Sequence, residues 1–513
     1  MAEMRKEQKE QAEKLLEVLE QAHKHIQLMI EKNNFSSALE ILKDCQQGAI
    51  SLGNMIEALE GEGAATVLLL EKYCELVYQF YEKLSKGETL NAHKTYKLLR
   101  TFLLKIENSI KNDIKVRREV VFFPYKASMW DSLESIYAAA KADADCDAYV
   151  IPIPYYDKNP DGSLGEMHYE GDQYPENVPI VGYEEYDLRK RRPDAIYIHN
   201  PYDGCNHVTS VDPRFYSSEL KKFTECLVYV PYFVVPWGIP EHFVLTPGVV
   251  FSDIVFIQSS FVRKQYIKIL KEKVFSDSPE ILEKKIVSMG SPKTDRLLRM
   301  QLEENVPEEW KDKVKGKKTV FFNTNVNLLL KNGEHFIENL NRIFHVFEQY
   351  ESQFVLIWRE HPLTMATFRS MKPELLDEYL KLREEFIQKE WGILDTTSEP
   401  HMAMALSDCY FGAGGSLVTI YSVTGKPMLL TAYDYPAGIA EAEISKEDFY
   451  RSIGKRMYYK EENINTLQLF LDNYDEIKTF REQRLEVISK ILENLDGTVG
   501  EKIYDYVVNG GKQ

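Results

Sequence analysis

The stretch Glu119-Val-Val-Phe-Phe-Pro124 is a short apolar run that ends at a proline. Apolar residues at consecutive positions predict a strand buried on both faces, and the segment from Trp130 to Ala140 predicts a helix after it. Similar apolar runs follow along the chain at Ala148–Pro154, Asp194–His199, Cys226–Val230 and Ile254–Ile257. Buried strands that alternate with helices predict a parallel sheet with helices on both faces.

A second series of apolar runs begins at Lys317-Lys-Thr-Val-Phe-Phe322. Its further members are Phe354–Trp358, Ala405–Phe411 and Pro427–Leu430. A charged stretch, Arg299 to Lys317, separates the two series. We therefore predict two doubly wound α/β domains, residues 117–300 and 301–513, with a cleft between the carboxyl ends of their strands. The second of these domains is expected to end in C-terminal helices.

Residues 1–116 differ from the rest because they contain no proline and their apolar residues recur at helical spacing. Four such segments predict an N-terminal all-α helical bundle. The second helix is predicted to begin at Ser37, where Glu40 would complete a capping box. No polar constellation recurs on the helix faces, so we expect a structural role or assembly of a homo-oligomer.

Composition excludes several classes of function. The 513 residues include 63 Lys+Arg and 80 Asp+Glu, a net charge of −17, so we expect no nucleic-acid partner. No stretch reaches the roughly 20 apolar residues of a membrane span. The N-terminus leads into a charged amphipathic segment and not into the apolar core of a signal peptide, so we do not expect export. The six cysteines are scattered without a Cys-x-x-Cys pair. We expect a cytoplasmic protein with no disulfide, metal or cofactor.

The glycine-rich turn Phe411-Gly-Ala-Gly-Gly-Ser416-Leu-Val-Thr419 stands between a predicted strand and a predicted helix. Glycines let a backbone approach a phosphate closely, and amides at a helix start donate to it. The turn predicts a phosphate cradle, with Gly414, Gly415, Ser416 and Thr419 as its residues. A tight structural turn is the alternative.

The end of another strand, Trp358-Arg359-Glu360-His361-Pro362, delivers a cation and an imidazole to the same edge. We expect Arg359 to bind a donor phosphate. His361 could donate to a phosphate oxygen or act as an acid on the leaving group. A histidine with a structural role is the alternative.

Two polar loops add candidate donor-binding residues. Asn323-Thr-Asn-Val-Asn327 follows the first strand of the second domain, so Asn323 and Asn325 could contact a diphosphate, or the loop could be a plain asparagine-rich turn. The loop Gly290-Ser-Pro-Lys-Thr-Asp295 contributes Lys293.

In the first domain, His199-Asn-Pro-Tyr-Asp203-Gly-Cys-Asn-His207 follows a predicted strand. His199 and Asp203 are four residues apart and could deprotonate a hydroxyl acceptor. Asn200, Pro201 and Asp203-Gly204 are equally typical of a turn.

Taken in order, these pieces resemble the CDP-glycerol glycerophosphotransferase family, enzymes of GT-B fold that extend teichoic-acid-like poly(alditol phosphate) chains. The similarity covers roughly Val120 to Leu430, and the GT-B fold that it implies would make the segment from Tyr474 to Val508 the terminal helix that crosses back. His361-Pro362 matches the family's His-Pro motif, Gly415-Ser416 falls on its donor-phosphate Ser-Ser pair, and Gly290–Asp295 looks like its Gly-x-Pro-Arg-x-Asp loop.

The chain also departs from the family pattern. Ala413 and Ile420 stand where the family has aspartates, and Val228-Tyr-Val-Pro-Tyr replaces the Trp-His-Gly motif that carries the presumed acceptor-side base. If the protein is a transferase, the candidates for that base are His242, His199 and Asp203.

The resemblance implies transfer of an alditol phosphate or sugar from a nucleotide-activated donor to a hydroxyl acceptor, in cell-surface polymer synthesis. Family members use lipid-linked acceptors, which leaves open a peripheral position at the inner membrane face. Two other classes compete with this prediction. One is a non-catalytic nucleotide-binding or scaffold protein of GT-B fold. The other is a UDP-sugar glycosyltransferase or epimerase, because the Gly-Gly-Ser turn is similar to theirs.

Overall fold

The computed structural model describes residues 4–235, 238–300, 306–397, 399–431, 458–459 and 465–510. Residues 301–305 of the predicted charged stretch lie outside this range. The chain divides into two compact units, one with the residues up to Val120 together with Asp143–Asp147, and the other with Val121–Ala142 and the residues from Ala148 onward. Within the described ranges, no helix is both long and apolar enough to cross a membrane.

The first unit contains four long helices. They are α1 (Lys6–Glu31), α2 (Phe35–Glu60), α3 (Ala65–Ser85) and α4 (Ala92–Asn112). Each packs against the next and α1 packs against α4, which closes a four-helix bundle around an apolar core. The predicted start of the second helix at Ser37 is wrong by two residues, because the Asn34 side chain accepts from the Ser37 amide and caps a helix that begins at Phe35.

Nine strands lie between residues 118 and 288. They are β1 (Arg118–Phe123), β2 (Cys146–Val150), β3 (Tyr155–Lys158), β4 (Leu164–His168), β5 (Ala195–Ile198), β6 (Thr209–Val211), β7 (Cys226–Tyr229), β8 (Ile254–Ile257) and β9 (Ile286–Ser288). Six of them form a sheet in the order β2-β1-β5-β7-β8-β9, whose pairs from β5 to β9 are parallel. The other three form a small antiparallel sheet, β4-β3-β6, which the apolar pattern of the sequence does not predict.

Helices cover the first sheet. They are Glu134–Ala142, Leu188–Arg191, Ser217–Leu220, Glu241–Val244, Pro247–Phe251, Ser260–Lys273, Ile281–Lys285 and Asp295–Arg299, with short 3₁₀ turns at Ala127–Ser132, Pro213–Phe215, Lys221–Phe223 and Pro292–Thr294. The strands of this sheet contribute an apolar core that includes Val121, Ile196, Leu227 and Val255.

Within the described part of the chain, the second sheet has six strands. They are β10 (Lys318–Asn323), β11 (Phe354–Arg359), β12 (Gly392–Leu394), β13 (Cys409–Gly412), β14 (Met428–Thr431) and β15 (Tyr458–Tyr459). Their order is β12-β11-β10-β13-β14-β15 and every pair is parallel. The prediction of a strand from Ala405 is wrong, because a helix occupies the chain up to Leu406 and the strand begins at Cys409.

The second sheet carries its own helices. They are Glu308–Val314, Val326–Asn332, Glu334–Gln349, Thr364–Met371, Leu376–Gln388, His401–Leu406, Ser416–Ser422, Asn465–Asp472, Tyr474–Ile477 and Arg481–Ile488, with 3₁₀ turns at Pro373–Leu375 and Lys478–Phe480. Apolar clusters pack on both faces of this sheet. The two six-stranded sheets with their helices confirm the predicted class, two Rossmann-like domains together with a helical bundle.

The last helix of the chain, Val499–Val508, packs against the helix Glu134–Ala142 of the first domain. Asp295 anchors its start, since one carboxylate oxygen accepts from the amide of Val499 (3.1 Å) and the other from the amide of Gly500 (2.8 Å). The hydroxyl of Ser135 donates to the same carboxylate (2.8 Å). The chain therefore crosses from the first domain to the second and returns, as in a GT-B fold.

Candidate functional site

Three strands of the second sheet end at the same level. Asn323, the last residue of β10, pairs with Arg359 of β11 on one side and with Gly412 of β13 on the other. Neighbouring strands lie about 4.8 Å apart, so these three ends span about 10 Å. The loops that follow, which hold His361, Asn325 and the glycine-rich turn, therefore leave the sheet side by side.

The glycine-rich turn is packed at its start and open at its centre. Gly412 has a φ of +135°, and a Cβ at this position would overlap the carbonyl oxygen of Asn323. The amide of Ala413 donates to that same oxygen (3.0 Å). Gly415, with a φ of +143°, faces open space, and both it and Ser416 are exposed. A ligand at this edge of the sheet can therefore reach the centre of the turn.

His361 is held in one tautomer. The amide of Leu363 donates to its Nδ1 (3.1 Å), so the neutral ring carries its proton on Nε2. Partial burial lowers the pKa of His361 below its usual range. At neutral pH the side chain is therefore an uncharged N–H donor at the edge of the sheet.

Arg359 has internal partners. The side chain is buried, and its guanidinium donates to the carboxylate of Asp395 (2.6 Å), to Oγ1 of Thr397 (3.2 Å) and to the carbonyl oxygen of Thr397 (3.1 Å). These bonds fix the loop that follows β12. Arg359 thus supports the edge of the sheet by holding this loop.

Arg359→Lys is expected to lower the free energy of unfolding by about 2 kcal/mol. The ammonium of lysine cannot replace the two guanidinium nitrogens that together donate to Asp395 and Thr397. Urea unfolding followed by tryptophan fluorescence measures the change. Arg383→Lys is the matched control, since Arg383 donates to Glu360 (2.9 Å) from a more exposed position. Equal losses in the two variants would contradict the role given to Arg359.

The other predicted donor-binding residues do not all lie at this edge of the second sheet. Asn323 lies at the strand end, and Asn325 caps the helix Val326–Asn332 by accepting from the amide of Leu328 (2.9 Å). Thr419 is buried beneath the turn. Lys293 lies in the first domain, where it pairs with Asp131 (2.5 Å). The structure therefore groups Asn323, Asn325, His361 and Gly414–Ser416 at one edge, without Lys293.

His199, the first residue after β5, is fully buried and contacts the segment that follows β1. Its Nε2 accepts from the amide of Tyr125 (3.0 Å), while Nδ1 lies 3.0 Å from the hydroxyl of Ser132 and 3.2 Å from the carbonyl oxygen of Met129. Burial, with a smaller contribution from the charge of Lys293, lowers the pKa of His199 to about 3. These contacts give the neutral ring a structural role.

Asp203 is also buried and acts as a cap. Its carboxylate accepts from the amide of Ser217 (2.8 Å) and from the hydroxyl of the same residue (2.9 Å). Burial raises the pKa of Asp203 to about 6, although the two hydrogen bonds from Ser217 act in the opposite direction. His199 and Asp203 thus have separate partners.

The free energy of unfolding of the variant Asp203→Asn is expected to decrease more steeply with falling pH than that of the wild type. In the unfolded chain the pKa of an aspartate is about 3.9 and that of a histidine about 6.5. Between pH 6 and 4, Asp203 binds its proton mainly in the folded state, so it raises the free energy of unfolding as the pH falls. His199 binds its proton mainly in the unfolded state and has the opposite effect.

Removing the Asp203 carboxyl leaves the effect of His199 unopposed. As the pH falls, the free energy of unfolding of the variant should therefore decrease by up to about 1.4 kcal/mol per pH unit more than that of the wild type. Urea unfolding at pH 7, 6, 5 and 4.5 measures this difference. Asp172→Asn, at an exposed carboxyl, is the control. Parallel profiles for the wild type and Asp203→Asn would contradict the raised pKa.

His242 differs from the other two predicted bases because it is exposed. It lies on the short helix Glu241–Val244, downstream of β7, with its ring centroid 4.5 Å from that of Phe243. Phe243 in turn packs against Phe233 (4.9 Å between centroids), in the loop that follows β7. His242 is therefore the predicted base that solvent can reach.

A possible metal-binding group lies on the antiparallel sheet. It consists of Asp157, Glu166 and His168, whose ligand atoms lie within 4.8 Å of one another. His168 is already hydrogen-bonded to Asp157 (2.9 Å), and both carboxylates are exposed. A surface ion pair accounts for this group, and we assign no metal to it.

A cavity of about 610 Å³ is lined by both α/β domains. Asp131 and Glu134, which follow β1, line it from the first domain. Thr397, Glu399 and His401, which follow β12, line it from the second. These residues are not among the site residues predicted from the sequence. Their signal was present in the charged residues after Leu394, but the strand that precedes them was not predicted.

No protein-family model and no curated protein matches this chain. Among solved structures, a putative UDP-N-acetylglucosamine 2-epimerase from Listeria monocytogenes is similar at 13% identity and a TM-score of 0.49, over 77% of this chain and 97% of its own. A UDP-GlcNAc 2-epimerase from Neisseria meningitidis, bound to UDP-GlcNAc, has 12% identity and a TM-score of 0.47, over 76% and 100%.

The wall teichoic acid polymerase TagF is similar at 13% identity and a TM-score of 0.48, over 82% of this chain and 97% of its own. All three TM-scores lie below 0.5. The fold is therefore assigned from the topology described above, and no function is taken from these structures.

Proposed function

We propose that this protein is a transferase that moves an alditol phosphate or a sugar from a nucleotide-activated donor to a hydroxyl acceptor. The observation that carries the proposal is the register of three neighbouring strands, in which the end of β10 at Asn323 is paired with Arg359 on one side and with Gly412 on the other. This register brings a neutral N–H donor and an exposed glycine-rich turn to one edge of a parallel sheet. Ligands of open parallel sheets bind beyond the carboxyl ends of the strands.

In the proposed complex, the donor diphosphate lies between His361 and the turn at Gly414–Ser416. Nε2–H of His361 donates to a phosphate oxygen without carrying a charge of its own. The backbone of Gly415 and the hydroxyl of Ser416 donate from the other side. These donors stabilise the negative charge that develops on the leaving nucleotide.

The acceptor hydroxyl would approach from the first domain. His242 is our proposal for the base that receives its proton, because His199 and Asp203 are buried with partners of their own. Closure of the two domains around the substrates would exclude water, which competes as an acceptor.

For the donor, we propose a CDP-alditol of the CDP-glycerol type. The resemblance of His361-Pro362 and Gly290–Asp295 to the glycerophosphotransferase motifs supports this choice. A non-catalytic nucleotide-binding protein is the second candidate, and the internal partners of His199 and Asp203 favour it. A UDP-sugar enzyme is a third candidate that differs in the donor.

Isothermal titration calorimetry of the full chain tests the proposal. The panel contains CDP-glycerol, CDP-ribitol, CMP, UDP-N-acetylglucosamine and UDP. We expect selective binding of a cytidine donor, and release of CMP when a hydroxyl acceptor is added. Preference for a uridine ligand would favour the sugar-nucleotide class, and binding without turnover would favour the non-catalytic one. A folded protein that binds no member of the panel would overturn the proposal.

A further inference from the structure

His401 lines the cavity between the two α/β domains and is 3% exposed. Within the described residues, neither of its ring nitrogens has a hydrogen-bond partner. Nε2 lies 3.8 Å from the carboxylate of Asp131 and Nδ1 lies 3.6 Å from that of Glu399. A buried imidazole is expensive to leave without hydrogen bonds, so these two nitrogens indicate a place where a ligand binds.

The neighbours of His401 are charged and paired with one another. Arg296 forms an ion pair with Glu399 and lies 3.5 Å from the carboxylate of Glu134. Lys293 is buried and pairs with Asp131, which lines the cavity. The cations and carboxylates thus largely neutralise each other. Such a lining does not attract a polyanion, because carboxylates face the cavity from both domains.

The arrangement of donors and acceptors suits hydroxyl groups. In either neutral tautomer His401 offers one donor and one acceptor, Arg296 offers donors, and Glu134 and Glu399 offer acceptors. A hydroxyl both donates and accepts, so a chain of hydroxyls can satisfy this alternating set. Ala138, Pro292 and Met402 supply apolar lining, against which the C–H groups of a polyol can pack.

We propose that this cavity is a binding subsite for an uncharged polyhydroxyl compound, an alditol or a monosaccharide unit, with His401, Glu399 and Arg296 as its hydrogen-bonding residues. Residues of both domains hold the ligand, which fits the acceptor portion of the substrate. This role as an acceptor subsite rests on the proposed transferase function. The binding of the polyol does not.

Saturation-transfer-difference NMR on the full chain tests the subsite, with ribitol and glucose as probes and 1,5-pentanediol as a probe with few hydroxyls. We expect transfer to ribitol or to glucose and none to pentanediol. Stronger saturation transfer to ribitol would indicate an alditol site, and stronger transfer to glucose would indicate a monosaccharide site. Absence of transfer to both in the wild type would overturn the subsite.

Two variants locate the binding. His401→Ala removes the unpartnered imidazole, and Ala138→Trp fills the cavity from an exposed helix position without removing a polar group. Each should weaken the apparent affinity for the bound polyol at least tenfold. His345→Ala is the matched control, because His345 is an exposed histidine beside Glu348 (3.3 Å) and should leave binding unchanged.

If both His401→Ala and Ala138→Trp keep wild-type affinity, the polyol binds elsewhere and the inference is wrong. If His401→Ala does not fold, Ala138→Trp alone decides. Calorimetry with the full nucleotide panel named above, on the same preparations, keeps the two proposals apart. Donor binding without polyol binding overturns the subsite alone, whereas polyol binding without binding of any nucleotide overturns the transferase function and leaves a polyol site.

Discussion

His361→Ala is expected to lower turnover of the nucleotide donor by about 10²-fold or more while the protein stays folded. The reason is the loss of the Nε2–H donor, which the bond from the Leu363 amide to Nδ1 fixes in place. Release of the leaving nucleotide from the donor selected by calorimetry, CMP from a CDP-alditol or UDP from a UDP-sugar, measures the effect. Turnover at the wild-type level would show that His361 does not contact the donor.

A second substitution at the same position separates two roles. Because burial lowers the pKa of His361, we expect the ring to act as a neutral donor. His361→Gln keeps an N–H donor and should retain more activity than His361→Ala. If glutamine and alanine are equally inactive, the histidine instead transfers a proton to the leaving group. His345→Ala, at an exposed position, should match the wild type.

Gly412→Ala is expected to lower the free energy of unfolding by about 3 kcal/mol or more. A positive φ of +135° costs a residue with a Cβ about 1–3 kcal/mol, and overlap with the carbonyl oxygen of Asn323 adds a similar amount. The overlap would also push β13 away from β10. Urea unfolding of the full chain measures the loss.

Gly415→Ala provides the matched comparison. Its φ of +143° is nearly the same, but the added methyl group would face open space. We therefore expect only the backbone cost, about 1–2 kcal/mol, together with weaker donor binding because the methyl group lies on the exposed part of the turn. Equal losses of stability in the two variants would contradict the steric argument at Gly412.

The sequence predicted the parts of the fold that depend on local composition. Most strands of the two six-stranded sheets are apolar at consecutive positions, and this pattern identified β1, β10 and β11 to within one or two residues. It failed for β12, which has only three residues. It also failed for the antiparallel sheet, whose strands β3 and β4 are partly exposed and lack a continuous apolar run.

The dependence on continuous apolar runs also explains why some residues near the site are not predicted from the sequence. Candidate site residues are predicted from the positions that follow each predicted strand, and Glu399 and His401 follow β12, which its sequence does not predict. The role of His199 depends on the amide of Tyr125, 74 positions away, and that of Lys293 on Asp131, 162 positions away. Spacing along the chain cannot show such partners, because they meet only when the sheet has formed.

The return of the last helix to the first domain also fixes an order of events during synthesis. The strands of the first sheet are complete at Ser288, yet the helix that Asp295 anchors begins at Val499. About 220 residues separate Ser288 from the end of that helix, so at 5–20 residues per second the ribosome needs roughly 10 to 45 s to supply it. During that interval the nascent first domain exposes the face of Glu134–Ala142 that this helix later covers, and chaperones can bind there.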